Sequence, residues 1–179
     1  MITVRMNDAA ARLVPMSDPG GFDPPGGLAP RLRAFAGQGI VRHGRVLTWA
    51  RSARGPHEAA PSRDLTGWEC WHNAFHLEDF VPVESAVVDG APVIGEGEQR
   101  VLLRHGLAAA MEVARLVRAL SPLVPVRCIL SANETGATFR FHAIRAGESW
   151  HDPDLDTYRL EKMIVVDVEP AGDIGGGHA

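Results

Sequence analysis

The chain has 179 residues, of which 45% are hydrophobic and 6% aromatic, and its formal net charge is −4. This length suits one ordinary domain, and the acidic balance argues against the basic face that nucleic-acid binding requires. Because no run approaches the ~18 apolar residues that cross a bilayer, and Arg5 and Asp8 interrupt any signal-like stretch, we expect no membrane partner.

The N-terminal residues predict little regular structure. Residues 1–36 read as an irregular arm or linker, because Pro15–Pro30 is rich in proline and glycine, with a short helical turn over Arg31–Phe35. Apolar residues on both sides of a turn then predict a tight hairpin over Gly39–Ala50. Residues 51–64 are again polar and predict an exposed loop.

The segment from Trp68 to Phe80 fits either a helix or a strand. Read as a helix, it places Trp68, Trp71 and Phe75 on one face, which we expect to be core, and His72, His76 and Asp79 on another. Val87–Ile94 then predicts a strand that is interrupted at Asp89-Gly90 by a turn.

A long amphipathic helix over Glu98–Leu120 is the strongest pattern in the chain. Apolar residues recur at the spacing of a core-facing stripe, and Pro122 ends the helix. The stripe consists of Leu103, Leu107, Ala110, Ala114 and Val117.

Three apolar strands follow the helix, and they fix the predicted fold class. They cover Val126–Ser131, Ala137–Arg145 and Met163–Val168, and the last is apolar on both faces, which predicts a central position. We therefore predict an α+β domain over residues 37–170, with a mainly antiparallel sheet and the long helix packed on one face. Residues 171–179 predict a disordered tail.

One candidate site uses the polar face of the first predicted helix. His72 and His76 lie one helical turn apart and Asp79 follows on the same side, so two imidazoles and a carboxylate could bind zinc or iron. Asn73 stands where a zinc protease needs a glutamate as general base. The alternative is that these side chains form the solvated face of the helix.

A second candidate site lies in the loop after the hairpin of the last strands. Arg145, Glu148, Trp150 and His151 combine charge, an aromatic anchor and a titratable group. Tryptophan and arginine are the residues that protein interfaces favour, so this composition suits partner binding better than catalysis. The alternative is an ordinary connection whose Trp150 covers the sheet edge.

These observations favour a small, non-enzymatic protein-interaction module. Cys70 and Cys128 read as buried, reduced thiols, which favours a cytoplasmic location. Small acidic α+β domains of this style are loosely similar to immunity or accessory proteins of bacterial toxin systems, and the acidic charge would suit a basic protein partner. The competing hypothesis is a metal-dependent hydrolase that uses His72, His76 and Asp79.

Overall fold

A computed structural model of the chain describes residues 1–15, 24, 26–52 and 64–170. In this part of the chain, helices and antiparallel strands combine, which confirms the predicted α+β class. The helices are α1 (Asp8–Leu13), α2 (Pro30–Ala36), α3 (Leu65–His72) and α4 (Glu96–Arg118). The strands are β1 (Ile2–Met6), β2 (Ile40–His43), β3 (Val46–Trp49), β4 (Phe75–His76), β5 (Ala86–Val88), β6 (Ala91–Val93), β7 (Val126–Asn133), β8 (Gly136–Ala143) and β9 (Lys162–Val168).

Five of these strands form one antiparallel sheet, in the order β1-β9-β7-β8-β4. β9 lies between β1 and β7, so the interior position predicted for this apolar strand is confirmed. β2 and β3 form a separate hairpin, as predicted for residues 39–50. β5 and β6 form another, with its turn at Asp89-Gly90.

Helix α4 covers one face of the sheet. It begins two residues earlier than predicted because Gly95 adopts the extended conformation of a cap, and it ends at Arg118. The whole predicted stripe is buried, and Leu102, Ala109 and Val113 beside it are buried too. α4 is buried over this wider arc because α2 and β2 pack against it in addition to the sheet.

Each face of the sheet has a hydrophobic core of its own. Val126, Cys128 and Leu130 of β7 belong to the large core under α4, whereas Ile129 belongs to a smaller core on the opposite face. The smaller core comprises Cys70, Ile129, Leu155, Met163 and Val165. Cys70 and Cys128 are both buried free thiols, as predicted.

The N-terminal residues belong to the sheet, so the prediction of an irregular arm over residues 1–36 is wrong for β1 and α1, whereas the helical turn predicted over Arg31–Phe35 is confirmed as α2. β1 pairs with β9 along its full length. Asn7 then caps α1 by accepting from the Ala10 amide at 3.0 Å, and the same side-chain oxygen accepts from the Met163 amide. The alternation of apolar and polar residues over Ile2–Met6 is the signal that predicts this strand.

The segment Trp68–Phe80, which fits either a helix or a strand in the sequence, contains both: α3 ends at His72 and β4 follows at Phe75–His76. Asn73 follows as the cap residue, and its buried side chain donates to the carbonyl oxygens of Leu47 at 2.9 Å and Phe141 at 3.1 Å. These tertiary bonds fix the end of α3, and the chain continues into β4 and a 3-10 turn. The predicted Trp68, Trp71 and Phe75 face therefore does not form, and the indole of Trp71 is 78% exposed.

The outer edge of β8 is covered mainly by side chains, because β4 pairs with only two of its residues. The side chains of Glu78, Asn73 and Glu69 bond to the backbone of Ala137, Phe141 and Ala143, respectively. An open strand edge can pair with another chain, and these bonds occupy the groups through which it would do so.

Three predicted segments lie wholly or largely outside the described residues: the linker over Pro15–Pro30, the loop over residues 51–64 and the tail 171–179. Within the described ranges, no helix combines the length and the apolar character needed to cross a bilayer.

Two glycines of α4 should respond to alanine in opposite directions. Gly106 lies against the core, and a Cβ atom there would come within 3.1 Å of Leu77 Cδ1 and closer still to Leu130. We expect Gly106→Ala to lower the free energy of unfolding by about 1–2 kcal/mol, because overpacking outweighs the gain in helix propensity. Gly97 has nothing within 4 Å, so Gly97→Ala should raise it by up to about 1 kcal/mol.

Urea denaturation of both variants measures these changes. Equal effects of the two substitutions would contradict the close approach of α4 to the sheet at Gly106.

Candidate functional site

The three residues proposed as metal ligands do not converge. His72 closes α3 and stacks on Trp68, with ring centroids 3.8 Å apart. His76 lies on β4, beyond the end of the helix, and its Nδ1 is 3.4 Å from a carboxylate oxygen of Glu78. Asp79 is in the 3-10 turn that follows. The described ranges contain no group of three or more His, Cys, Asp or Glu side chains that could hold a metal ion.

Arg145, the first of the four partner-binding candidates, forms a buried ion pair. Its two terminal nitrogens each donate to one carboxylate oxygen of Glu69 at 2.8 Å, and Glu69 has no exposed surface. The same carboxylate also accepts from the backbone amides of Leu47 at 2.6 Å and Ala143 at 2.8 Å. The carboxylate of Glu69 thus links α3 to β3 and β8, and both terminal nitrogens of Arg145 are engaged in hydrogen bonds to it.

Glu148 and His151 are also engaged inside the molecule. Glu148 accepts from the amide of Thr66 at 3.1 Å and from its hydroxyl at 2.7 Å, so it holds the first turn of α3. The hydroxyl bond lowers the pKa of Glu148. His151 is 6% exposed, and because its Nδ1 is 2.7 Å from the carbonyl oxygen of Asp152, this nitrogen is the one that carries the proton.

Trp150 is the candidate that remains on the surface. It is 41% exposed, and the guanidinium carbon of Arg140 lies 5.4 Å from its ring centroid, a cation–π arrangement. Arg140 projects from β8 on the face of the sheet opposite α4, in the alternation that puts Phe139 and Phe141 in the large core.

Arg140 connects two neighbouring depressions on this face. The first, here called the Trp71 cleft, has a volume of about 270 Å³ and is lined by Trp71, Ala74, Phe75, His76, Thr138 and Arg140. The second, here called the Trp150 cavity, has a volume of about 250 Å³. It is lined by Ile129, Ser131, Arg140, Trp150, His151, Tyr158, Glu161 and Met163.

Sequence reasoning identified Trp150 and missed Arg140 and Trp71 as parts of one surface. Trp71 was assigned to the core because the helix was expected to continue past His72. Arg140 follows from the alternation of β8, but only the register of the sheet shows that it lies between the two tryptophans.

The buried titratable groups nearby do not supply a reactive nucleophile. Burial raises the pKa of the Cys70 thiol to about 12 and raises that of Cys128 as well. Neither thiol ionises at neutral pH, and the thiolate is the reactive form of cysteine. The described surface around Arg140 carries aromatic, cationic and hydroxyl groups.

Residues 56–173 match the model of the uncharacterized protein PM0498 family, and the chain belongs to that family. The matched range contains α3, α4, the strands from β4 to β9, and every residue that lines the Trp71 cleft and the Trp150 cavity. Comparison with curated proteins and with solved structures finds no match.

Removing the charge of Glu69 should strongly destabilise the fold. In Glu69→Gln, the guanidinium of Arg145, whose side chain is only 11% exposed, loses the carboxylate that lies 2.8 Å away and keeps only that of Glu148 at 4.0 Å. We expect the free energy of unfolding to fall by about 3 kcal/mol or more in urea denaturation. The matched control is Glu112→Gln, which removes a pair with Arg115 that is shorter, at 2.6 Å, but more exposed, and it should change stability little. Similar losses of unfolding free energy in both variants would show that the buried Glu69 pair contributes no more to stability than the exposed pair.

His142 should make the protein less stable in mild acid. Burial lowers its pKa from 6.5 to about 4, so between these values the unfolded chain binds a proton that the folded protein does not. Stability from this group is complete above pH 6.5 and is lost as the pH falls towards 4, by about 2 kcal/mol at a pH near 5.

Urea denaturation near pH 7.5 and near pH 5 should show a smaller pH dependence for His142→Gln than for the wild type. His76→Gln, which changes a largely exposed ring, is the control and should keep the wild-type dependence. An unchanged dependence in His142→Gln would exclude the buried imidazole as its source.

Proposed function

We propose that this protein is a non-enzymatic interaction module of the cytoplasm that binds an acidic segment of a protein partner in the Trp71 cleft. The segment would reach from Trp71 across Thr138 to Arg140, where Trp150 forms the far side. These four residues are called the aromatic surface below.

The exposure of Trp71 is the observation that carries this proposal. A tryptophan that stands 78% exposed at the end of a helix keeps a large apolar surface in water, and contact with a partner would bury it. It lines a cleft whose other walls include the partly buried ring of Phe75 and the stem of Arg140. Tryptophan and arginine are the residue types most enriched among those that dominate binding energy at interfaces.

The charge of the cleft selects the partner segment. Arg140 is the permanently charged residue in its lining, and the ring of His76, which lies 3.4 Å from a carboxylate oxygen of Glu78, is beside it. Within the described residues, no carboxylate forms an ion pair with Arg140, whose contact is the ring of Trp150. A carboxylate of the partner would pair with this cation, and the guanidinium itself loses little hydration free energy in such a contact because it is weakly hydrated. The net charge of −4 suits a basic partner for the molecule as a whole, but this cleft is locally cationic.

The remaining polar groups of the site support binding in preference to catalysis. Arginine and glutamate often act in catalysis, but here Arg145 is hydrogen-bonded to Glu69, and Glu148 is hydrogen-bonded to Thr66. The two buried free thiols fit a reducing compartment, which supports a cytoplasmic location.

A selection of peptides tests this function directly. A display library of random 12-residue peptides would be selected on the wild-type protein, and the enriched peptides measured by fluorescence anisotropy. We expect acidic peptides with at least one apolar residue, and a loss of affinity of roughly 30-fold in Trp71→Ala and in Arg140→Gln, as for residues that dominate an interface.

The control variant is Val87→Ser, which removes an apolar side chain that is 75% exposed on the β5-β6 hairpin, away from the cleft lining. It should bind the selected peptides like the wild type. Selection that yields basic peptides, or peptides that bind Trp71→Ala as tightly as the wild type, would overturn the proposal.

A further inference from the structure

We propose that the Trp150 cavity is a binding site for a small zwitterion that carries a carboxylate and an ammonium group, such as a free α-amino acid. This site does not depend on the protein-binding function proposed above, although Arg140 lines both depressions and Trp150 also forms the far side of the proposed peptide site.

The cavity has the size and the walls of a small-molecule site. Its volume of about 250 Å³ is just below the range typical of pockets for drug-sized ligands, which suits a molecule of amino-acid size. Ile129 and Met163 provide an apolar wall that is continuous with the smaller core. Trp150 lies on the open side, where it is partly exposed and held over Arg140.

Two opposite charges line this cavity without neutralising each other. Arg140 provides a cation and Glu161 an anion, and within the described part of the chain no ion pair joins them or joins either one to a third residue. The backbone of Glu161 is held firmly, since its carbonyl accepts from Asn7 at 2.7 Å and its amide donates to the carbonyl of Tyr158. Its carboxylate is left for a ligand.

Neutral polar groups add to this complementarity. The hydroxyl of Tyr158 accepts from the Asp152 amide at 2.9 Å, so its own proton is left to donate, and the hydroxyl of Ser131 also lines the cavity. His151 donates through Nδ1 to the carbonyl oxygen of Asp152, so the acceptors for an ammonium group are the carboxylate of Glu161 and the hydroxyl of Ser131. The cavity thus offers donors for a carboxylate and acceptors for an ammonium group.

A ligand with only one of these charges would leave the other wall group without a counter-charge. A simple anion would satisfy Arg140 but face the carboxylate of Glu161, and a simple cation would satisfy Glu161 but face Arg140. A zwitterion meets both, and this is why we assign the cavity to that class.

Thermal melting with the twenty common L-amino acids, each at several millimolar, is the first measurement. A bound amino acid raises the melting temperature because it binds the folded state only. The best ligand would then be measured by isothermal titration calorimetry beside its amide, which lacks the carboxylate, and its N-acetyl derivative, which lacks the ammonium group. We expect at least a tenfold loss of affinity for each derivative.

Variants distinguish binding in the Trp150 cavity from binding in the Trp71 cleft. Glu161→Gln and Ser131→Ala should lower the affinity for the amino acid and leave the affinity for the peptides selected on the Trp71 cleft unchanged. Trp71→Ala should lower the affinity for the peptides and leave the affinity for the amino acid unchanged. Arg140→Gln should lower both affinities. Urea denaturation of each variant verifies that it is folded, and Ser131→Ala keeps the test valid if a charge change disturbs the fold.

Three results would overturn the assignment. The first is that no amino acid changes the melting temperature, which would mean that the cavity holds only water. The derivatives bind as tightly as the parent amino acid, which removes the charges from recognition. Binding is lost in Trp71→Ala and kept in Glu161→Gln, which places the ligand in the neighbouring cleft.

Discussion

The buried ion pair between Glu69 and Arg145 holds together parts of the chain that are far apart in sequence. Its carboxylate contacts the backbone of β3 through Leu47 and of β8 through Ala143, and it belongs to α3 itself. Burying a carboxylate costs desolvation free energy. This cost is offset here because Glu69 accepts hydrogen bonds from two backbone amides and from the guanidinium of Arg145. Together with the bonds from Thr66 to Glu148 and from Asn73 to Leu47 and Phe141, this group fixes the position of α3 and of Trp71 near its end.

The two faces of the sheet have different roles. The face under α4 is closed by a long helix with a continuous apolar stripe, and it provides most of the buried hydrophobic surface. The opposite face is covered by short segments, namely α3 and the loop that contains Trp150 and Tyr158, and these leave depressions between them. The face under α4 therefore holds most of the hydrophobic core, whereas the two depressions lie on the opposite face.

The sequence predicted best where a pattern was long. Helix α4 and strands β7, β8 and β9 appear within a few residues of the predicted bounds, because periodic burial over many residues needs no knowledge of the neighbours. β1 was missed because its alternation covers only five residues and contains Arg5. α3 was predicted too long because the side chain of Asn73 ends it through bonds to Leu47 and Phe141, which no local pattern reveals.

The candidate site was harder to predict for the same reason. Arg145, Glu148 and His151 have the composition of a functional loop, but their contacts with Glu69, Thr66 and Asp152 inside the molecule are not visible in the sequence. Trp150 could be chosen by residue type alone. Its neighbour Arg140 required the register of β8, and Trp71 required the true end of α3. Residue type suggested a location on the chain, and tertiary contacts determined which side chains are available there.

The covered edge of β8 has a consequence for how the protein fails. Glu69, Asn73 and Glu78 all lie within one short stretch of chain, so a local opening of that stretch would release the three bonds together. β8 would then present an unpaired backbone beside the rings of Phe139 and Phe141, which is the kind of edge from which amyloid-like stacking begins. The lifetime of this stretch in its closed state, more than global unfolding, would set the rate at which concentrated solutions of the protein aggregate.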